Sequence, residues 1–186
     1  MVGVGDDAAI TRPAGVTATS VDAIVEGVHF QRPATPLEAI GRRALATALS
    51  DLAAMGADPG EAYVVLGVPE DLDEAGCLEL LEGAEAVAGR TGTSLAGGDI
   101  SRSAVLFVAM TVVGHAAAAE DLVTRAGAKP GDVVAVTGEL GGAAAALRLM
   151  DGDGSATELA AGVAQALRAR QLDPQPRLTE GRALAA

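Results

Sequence analysis

A chain of 186 residues with a net charge of −12 and only Phe30, Phe107 and Tyr63 as aromatic rings is repelled by phosphate backbones and has no ring surface for stacking bases. Nucleic-acid binding is therefore excluded, and the lone Cys77 allows neither an intrachain disulfide nor a Cys-type zinc centre. The longest apolar run, Ala104 to Val113, is too short to span a bilayer, and Asp6 and Asp7 stand where a secretory leader would be basic and apolar, so the sequence reads as cytoplasmic with no membrane partner.

Met1 to Val4 runs as a short strand into the carboxylate loop Gly5-Asp6-Asp7-Ala8-Ala9. Val16 to Val21 is β-rich and reads as a strand ending at Asp22. Ser20 and Asp22 share one face of it, because side chains alternate along a strand. Asp22 is then either a turn acid or a ligand. His29, between Val28 and Phe30, is either a satisfied histidine in apolar company or a ligand-facing one. Thr35, Pro36 and Glu38 have the spacing of a helix start, with Thr35 as cap. The helix they open runs to about Met55, where Gly56 stops it.

That helix contains Ala44 to Ala57, in which Asp51 is the only charged residue. Leu45, Leu49, Leu52 and Met55 recur at helical spacing and face a core. A carboxylate on so apolar a helix is either on a half-wet face or is matched by a cation, since burying it unpaired is costly. Asp6, Asp7, Asp22 and Asp99 also stand at abrupt ends of apolar or glycine-rich stretches, and together these acids read as a shared cation site.

Glu61 to Val68 reads as a strand. A helix follows from about Asp73 to Gly89, capped by Asp71 or Asp73, with Leu78, Leu81, Ala84 and Val87 or Ala88 inward and Cys77 as a small core residue. Ser94 to Ala96 is a short strand opening into Gly97-Gly98-Asp99, which is either a tight turn or a close-approach site for phosphate with φ > 0. Ser103 to Gly114 is a nearly continuous apolar strand and hence central. Arg125 is either a surface arginine or a phosphate ligand. Val133 to Thr137 reads as another strand, followed by a glycine loop and a helix from about Ala143 to Met150. Asp151 to Gly154 is a loop, Ser155 to Arg170 a helix, and Leu178 to Ala186 the beginning of a further element.

Five stretches in order carry a resemblance: Gly5-Asp6-Asp7-Ala8-Ala9; Ser20-Val21-Asp22 with Val25-Glu26-Gly27-Val28-His29-Phe30; Ser50-Asp51-Leu52-Ala53-Ala54-Met55-Gly56-Ala57; Gly97-Gly98-Asp99; and Thr124 to Asp132. The set resembles thiamine-monophosphate kinase, within the group that includes aminoimidazole ribonucleotide synthetase and selenophosphate synthetase. The resemblance implies an α/β (α+β) fold: a mixed-sheet N-terminal domain of the aminoimidazole ribonucleotide synthetase type over residues 1–124, which binds ATP and Mg²⁺ and joins a partner's sheet in a homodimer, followed by an incomplete second α/β domain over 125–186.

It also implies ATP-dependent phosphorylation of thiamine phosphate. Several Mg²⁺ ions would be held by Asp7, Ser20, Asp22, Asp51 and Asp99, with the Val21 backbone contributing and Asp51 and Asp99 central to catalysis. His29 would meet thiamine phosphate, and Gly98, Asp99 and Arg125 would meet ATP. Two departures stand out: the family has a helical segment before the Gly-Asp-Asp loop, and a later Asp-Leu-Ser-Asp-Gly-like motif that this sequence does not reach. The alternatives are another ATP-dependent member of the group and a catalytically incomplete metal-binding or dimerisation fragment.

Overall fold

The computed structural model describes residues 8–13, 15–150 and 159–186. At its centre is one sheet of β1 (Val16–Val25), β2 (Asp58–Val68), β3 (Ser94–Arg102) and β4 (Phe107–Ala116), in the order β1-β4-β2-β3. β4 is antiparallel to both neighbours, whereas β2 and β3 are parallel, so the sheet is mixed. A parallel neighbour needs a long crossover, and α2 (Glu74–Thr91) supplies it. α1 (Leu37–Met55) joins β1 to β2, and α3 (Gly142–Met150), α4 (Ala161–Leu172) and α5 (Leu178–Ala185) follow the sheet.

One face of the sheet is covered by α1 and α2. Val108, Met110 and Val112 of β4 are fully buried in the core cluster that contains both helices. The alternate residues Phe107, Ala109, Thr111 and Val113 lie on the other face and keep some exposure, as do Val21 at 66% and Val65 at 39%. The expected central position of β4 is observed, but its apolar run covers one face with helices and leaves the other open.

The α1 stripe is as the periodicity predicts: Leu45, Leu49 and Leu52 are buried and Met55 is half-buried at the end. Each buried leucine contributes about 1.5–3 kcal/mol. α1 and α2 approach very closely because Gly41 and Gly83 lack Cβ atoms. A Cβ on Gly41 would overlap the Leu80 carbonyl, and one on Gly83 would overlap the Glu38 carbonyl. Gly56 ends α1 in the left-handed region, φ 73°, with its N–H donated to the Ala53 carbonyl. α5 returns across α1, where Gly181 lies against the Ala53 carbonyl.

Several expectations are corrected. β1 does not end at Asp22 but continues to Val25, because Ile24 and Val25 pair with Val108 and Phe107. Pro36, not Thr35, is the cap of α1, and no side chain bonds the free N–H groups there. Thr35 is buried instead. α2 is capped by Asp73, which accepts from Gly76 N–H at 2.9 Å. Its inward stripe is rotated to Leu80, Gly83, Ala84, Val87 and Ala88, leaving Leu78 53% exposed.

Gly97-Gly98-Asp99 is neither a turn nor a positive-φ loop but lies inside β3, paired with Tyr63, Val64 and Val65. The segment from Ser103 becomes a strand only at Phe107. Val133 to Thr137 is not a strand: among the described residues nothing pairs with it, and Val133 and Val134 are 91% and 93% exposed. A strand needs a neighbour for its N–H and C=O groups, and none is present. The expectations for Met1 to Val4, Asp6, Asp7 and the Asp151–Asp153 loop lie outside the described residues.

Candidate functional site

β1 and α1 pack side by side, and the strip of surface along their seam, called the groove below, carries the candidate side chains. Even-numbered residues of β1 face the helix side: Ala18 and Ile24 are buried there, and Ser20 and Asp22 between them are half-buried. Asp51 lies on the exposed stripe of α1 with Thr47, Ser50 and Ala54. The Ser20 hydroxyl donates to Asp51 Oδ2 at 2.5 Å. Asp22 Oδ1 accepts from the Ala23 N–H at 2.9 Å. Ser20 and Asp51 thus meet from 31 residues apart in sequence, and Asp22 shares the face of β1 that carries Ser20. Being exposed, Asp51 has the half-wet environment that sequence alone left open, and its partner is a hydroxyl rather than a cation.

At the other end of the groove β1 gives way to a tight turn. Gly27 takes φ 82°, and its N–H closes onto the Phe30 carbonyl at 2.9 Å. His29 caps this turn from within: Val25 N–H donates to its Nδ1 at 3.0 Å, and its own N–H donates to the Val25 carbonyl at 2.8 Å. The ring is therefore held by Nδ1 and is exposed to solvent on its remaining side. It is not a core histidine.

The turn is anchored by Arg32, Glu26, Asp71 and Arg43, of which the two arginines carry no role in the sequence analysis. Arg32 Nε donates to Glu26 Oε1 at 2.7 Å, its terminal nitrogen forks onto Asp71 at 3.0 Å, and Glu26 Oε2 accepts from Leu106 N–H at 3.3 Å. Glu26 raises the Arg32 pKa above its ordinary value against the opposing effect of burial, with Asp71 adding to the rise. Arg43, on α1, donates to the His29 carbonyl at 3.0 Å. The available signal was the spacing of Arg43, Thr47 and Asp51, four apart along one helix side.

Among the described residues the acids do not form one cluster within a chain. Asp99 is on β3, at the sheet edge opposite β1, about 14 Å away at three strand spacings. It is in register with Val65, which pairs with Ala109, so it belongs to the open face rather than the helix face. Its Oδ2 accepts from Ser101 Oγ at 3.0 Å. Val21 likewise points to the open face. Asp7 lies outside the described residues, Gly98 is in β3 backed by the Val64 carbonyl, and Arg125 is exposed in the connection after β4. Among the described residues no three His, Cys, Asp or Glu side chains are grouped closely enough to hold a metal ion. His115 pairs with Glu61 at 3.3 Å, away from this groove.

The donors at Ser20, Asp22 and Asp51 are nonetheless all hard oxygen atoms. This suits Mg²⁺, which takes one or two carboxylates and completes its shell with water and phosphate oxygens.

Residues 5–116 match the family described as AIR synthase related protein, N-terminal domain. The chain is 41% identical over 152 residues to thiamine-monophosphate kinase of Bacillus subtilis (strain 168), covering 80% of this chain and 46% of that protein. Its fold superposes on the thiamine-monophosphate kinase of Stenotrophomonas maltophilia K279a with a TM-score of 0.88 and 36% identity, over 100% of this chain and 58% of the other. A complex of AaThiL with AMPPCP and TMP gives 0.83 at 29% identity, over 96% and 55%. The chain thus spans about half the length of the relatives it matches. By sequence, by its mixed sheet and by the match that runs through α1 and all four strands, this chain belongs to the AIR synthase related proteins.

Proposed function

We propose that this chain is the nucleotide- and acceptor-binding part of a thiamine-phosphate kinase, which transfers the γ-phosphoryl group of ATP to thiamine phosphate. The observation that carries the reading is the bond from Ser20 to Asp51, which sets a carboxylate at the mouth of a groove shared with Asp22 and, at its far end, His29. The solved AaThiL complex binds AMPPCP and TMP, which supports the same pair of ligands here.

In the reaction an oxygen of the acceptor's phosphate attacks the γ-phosphorus in line, the bond to the β,γ-bridging oxygen breaks, and ADP leaves. The acceptor is already an anion near neutral pH, so no side chain has to remove a proton. The barrier is the repulsion between two polyanions, made worse by the chain's own charge of −12. Mg²⁺ would be held by Asp7, Ser20, Asp22, Asp51 and Asp99, with the Val21 backbone as a further oxygen. When bound, it supplies charge neutralisation and a template for in-line transfer. Ser20 orients the Asp51 carboxylate; Gly98, Asp99 and Arg125 meet ATP; and His29, its ring held at Nδ1, meets thiamine phosphate.

Asp99 stands on the wrong edge and face to join Asp51 in one chain, so it serves the site of a second copy. This supports a homodimer built through the open sheet face, where Val21 and Val65 are uncovered. The exposed connection from Val123 to Gly141 supports a division into residues 1–124 and 125–186. Among the described residues no helix is long and apolar enough to cross a membrane.

A second reading, a metal-binding dimerisation fragment without turnover, is favoured by the lack of a three-acid cluster among the described residues. Acceptor competition separates the readings. In ATP consumption with Mg²⁺, thiamine phosphate stimulates and an aminoimidazole precursor does not. Stimulation by the precursor would move the chain to another branch of the group, and nucleotide binding without consumption would favour the fragment.

A further inference from the structure

The arginines of this chain divide sharply. Arg32, Arg42, Arg90, Arg170, Arg177 and Arg182 each meet a carboxylate. Those without one among the described residues, such as Arg102 and Arg125, are exposed. Arg43 fits neither group. It is half-buried, and among the described residues it forms no ion pair and its guanidinium donates only to the His29 carbonyl, at 3.0 Å. Burial alone pushes its pKa below the usual guanidinium value, with no acid opposing the shift. A partly desolvated cation left unpaired is costly, and a guanidinium has five donors in a planar fork that matches phosphate oxygens.

Its position says which phosphate. Arg43 and Asp51 stand on one side of α1, eight residues apart, or about 12 Å of helix rise. Asp51 bonds Ser20 at one end of the groove, and Arg43 grips the turn that holds the His29 ring at the other. We propose that Arg43 donates to the phosphate group of thiamine phosphate and thereby selects the phosphorylated acceptor over thiamine. The inference rests on the acceptor reading above. It assigns the discrimination between phosphorylated and free thiamine to a residue that carries no negative charge and holds no metal.

The rival role for Arg43 is a pin that shapes the 26–30 turn through the His29 carbonyl. The two roles differ in what they do to thiamine itself. Equilibrium binding of thiamine phosphate, thiamine and ATP with Mg²⁺ is measured on the parent chain, Arg43→Gln and Arg43→Lys. The expected result is that Arg43→Gln weakens thiamine phosphate by at least about tenfold, with thiamine and ATP unchanged and Arg43→Lys intermediate. Equal losses for thiamine and thiamine phosphate would make Arg43 a pin and overturn the proposal, as would an unchanged preference for the phosphorylated form. A parent chain that binds ATP but neither thiamine compound would overturn the acceptor reading, and this inference with it. Retained preference in Arg43→Gln would overturn this inference alone.

Discussion

Asp51 and Leu52 are neighbours on α1 with opposite surroundings, so truncating each to alanine separates what the helix does for the fold from what it does for the site. Leu52 is 1% exposed in the core between sheet and helices. Leu52→Ala removes its buried methyl groups and leaves a cavity, which costs about 2–5 kcal/mol. In a domain of this size each kcal/mol lowers the melting temperature by about 2–4 °C, so the loss is read directly in a thermal melt. Asp51 is exposed, and among the described residues its one side-chain partner is the Ser20 hydroxyl. Asp51→Ala therefore leaves stability within about 0.5 kcal/mol while Mg²⁺-dependent ATP binding falls. Circular dichroism melts and calorimetric titration of the same two proteins check both halves. A large destabilisation by Asp51→Ala, or full ATP binding by it, would refute the division of α1 into a structural face and a working face.

Other consequences follow from the same geometry. Gly83→Ala presses a Cβ onto the Glu38 carbonyl where α2 crosses α1. Despite the better helix propensity of alanine, the overpacking costs about 1–3 kcal/mol in a melt. Neutral or improved stability would mean that the helices can slide apart freely. If Asp99 serves the site of a second copy, then Asp51→Asn and Asp99→Asn, each inactive alone, regain about a quarter of parental turnover when mixed and allowed to exchange subunits, because half the dimers are mixed and each holds one whole site. No recovery, with exchange shown by native mass spectrometry, would count against the shared site. Cys77 has its thiol pushed up by burial first and by Asp73 and Glu74 next. Thiolate is the reactive form, so iodoacetamide labels native Cys77 slowly near neutral pH and faster as pH rises, and labelling as fast as in the denatured chain would contradict this.

Periodicity sufficed wherever a residue's surroundings are local. Leu45, Leu49 and Leu52 repeat at helical spacing and are buried together, and Gly56 stops α1 by its own conformation. Ser20 and Asp22 share a strand face because alternation requires it, whatever the strand pairs with. Reading failed where a partner decides. β1 runs past Asp22 only because Phe107 and Val108 wait opposite Val25 and Ile24, and Gly97-Gly98-Asp99 is a strand only because β2 lies beside it. Val133 to Val136 has strand composition but no pairing partner among the described residues, and stays exposed. Asp99 groups with the other acids in sequence, because sequence does not reveal that β1 and β3 are opposite edges. Arg43 is indistinguishable in sequence from an ordinary surface cation, and only the fold shows it half-buried with no carboxylate beside it among the described residues.

The most direct measurement is ³¹P NMR of the chain incubated with thiamine phosphate, ATP and Mg²⁺, with Asp51→Asn alongside and the same assay on a longer reading frame. The account predicts the paired resonances of thiamine diphosphate from the active form and none from Asp51→Asn. Thiamine diphosphate at the parental rate from Asp51→Asn, or none from either length of chain, would contradict it.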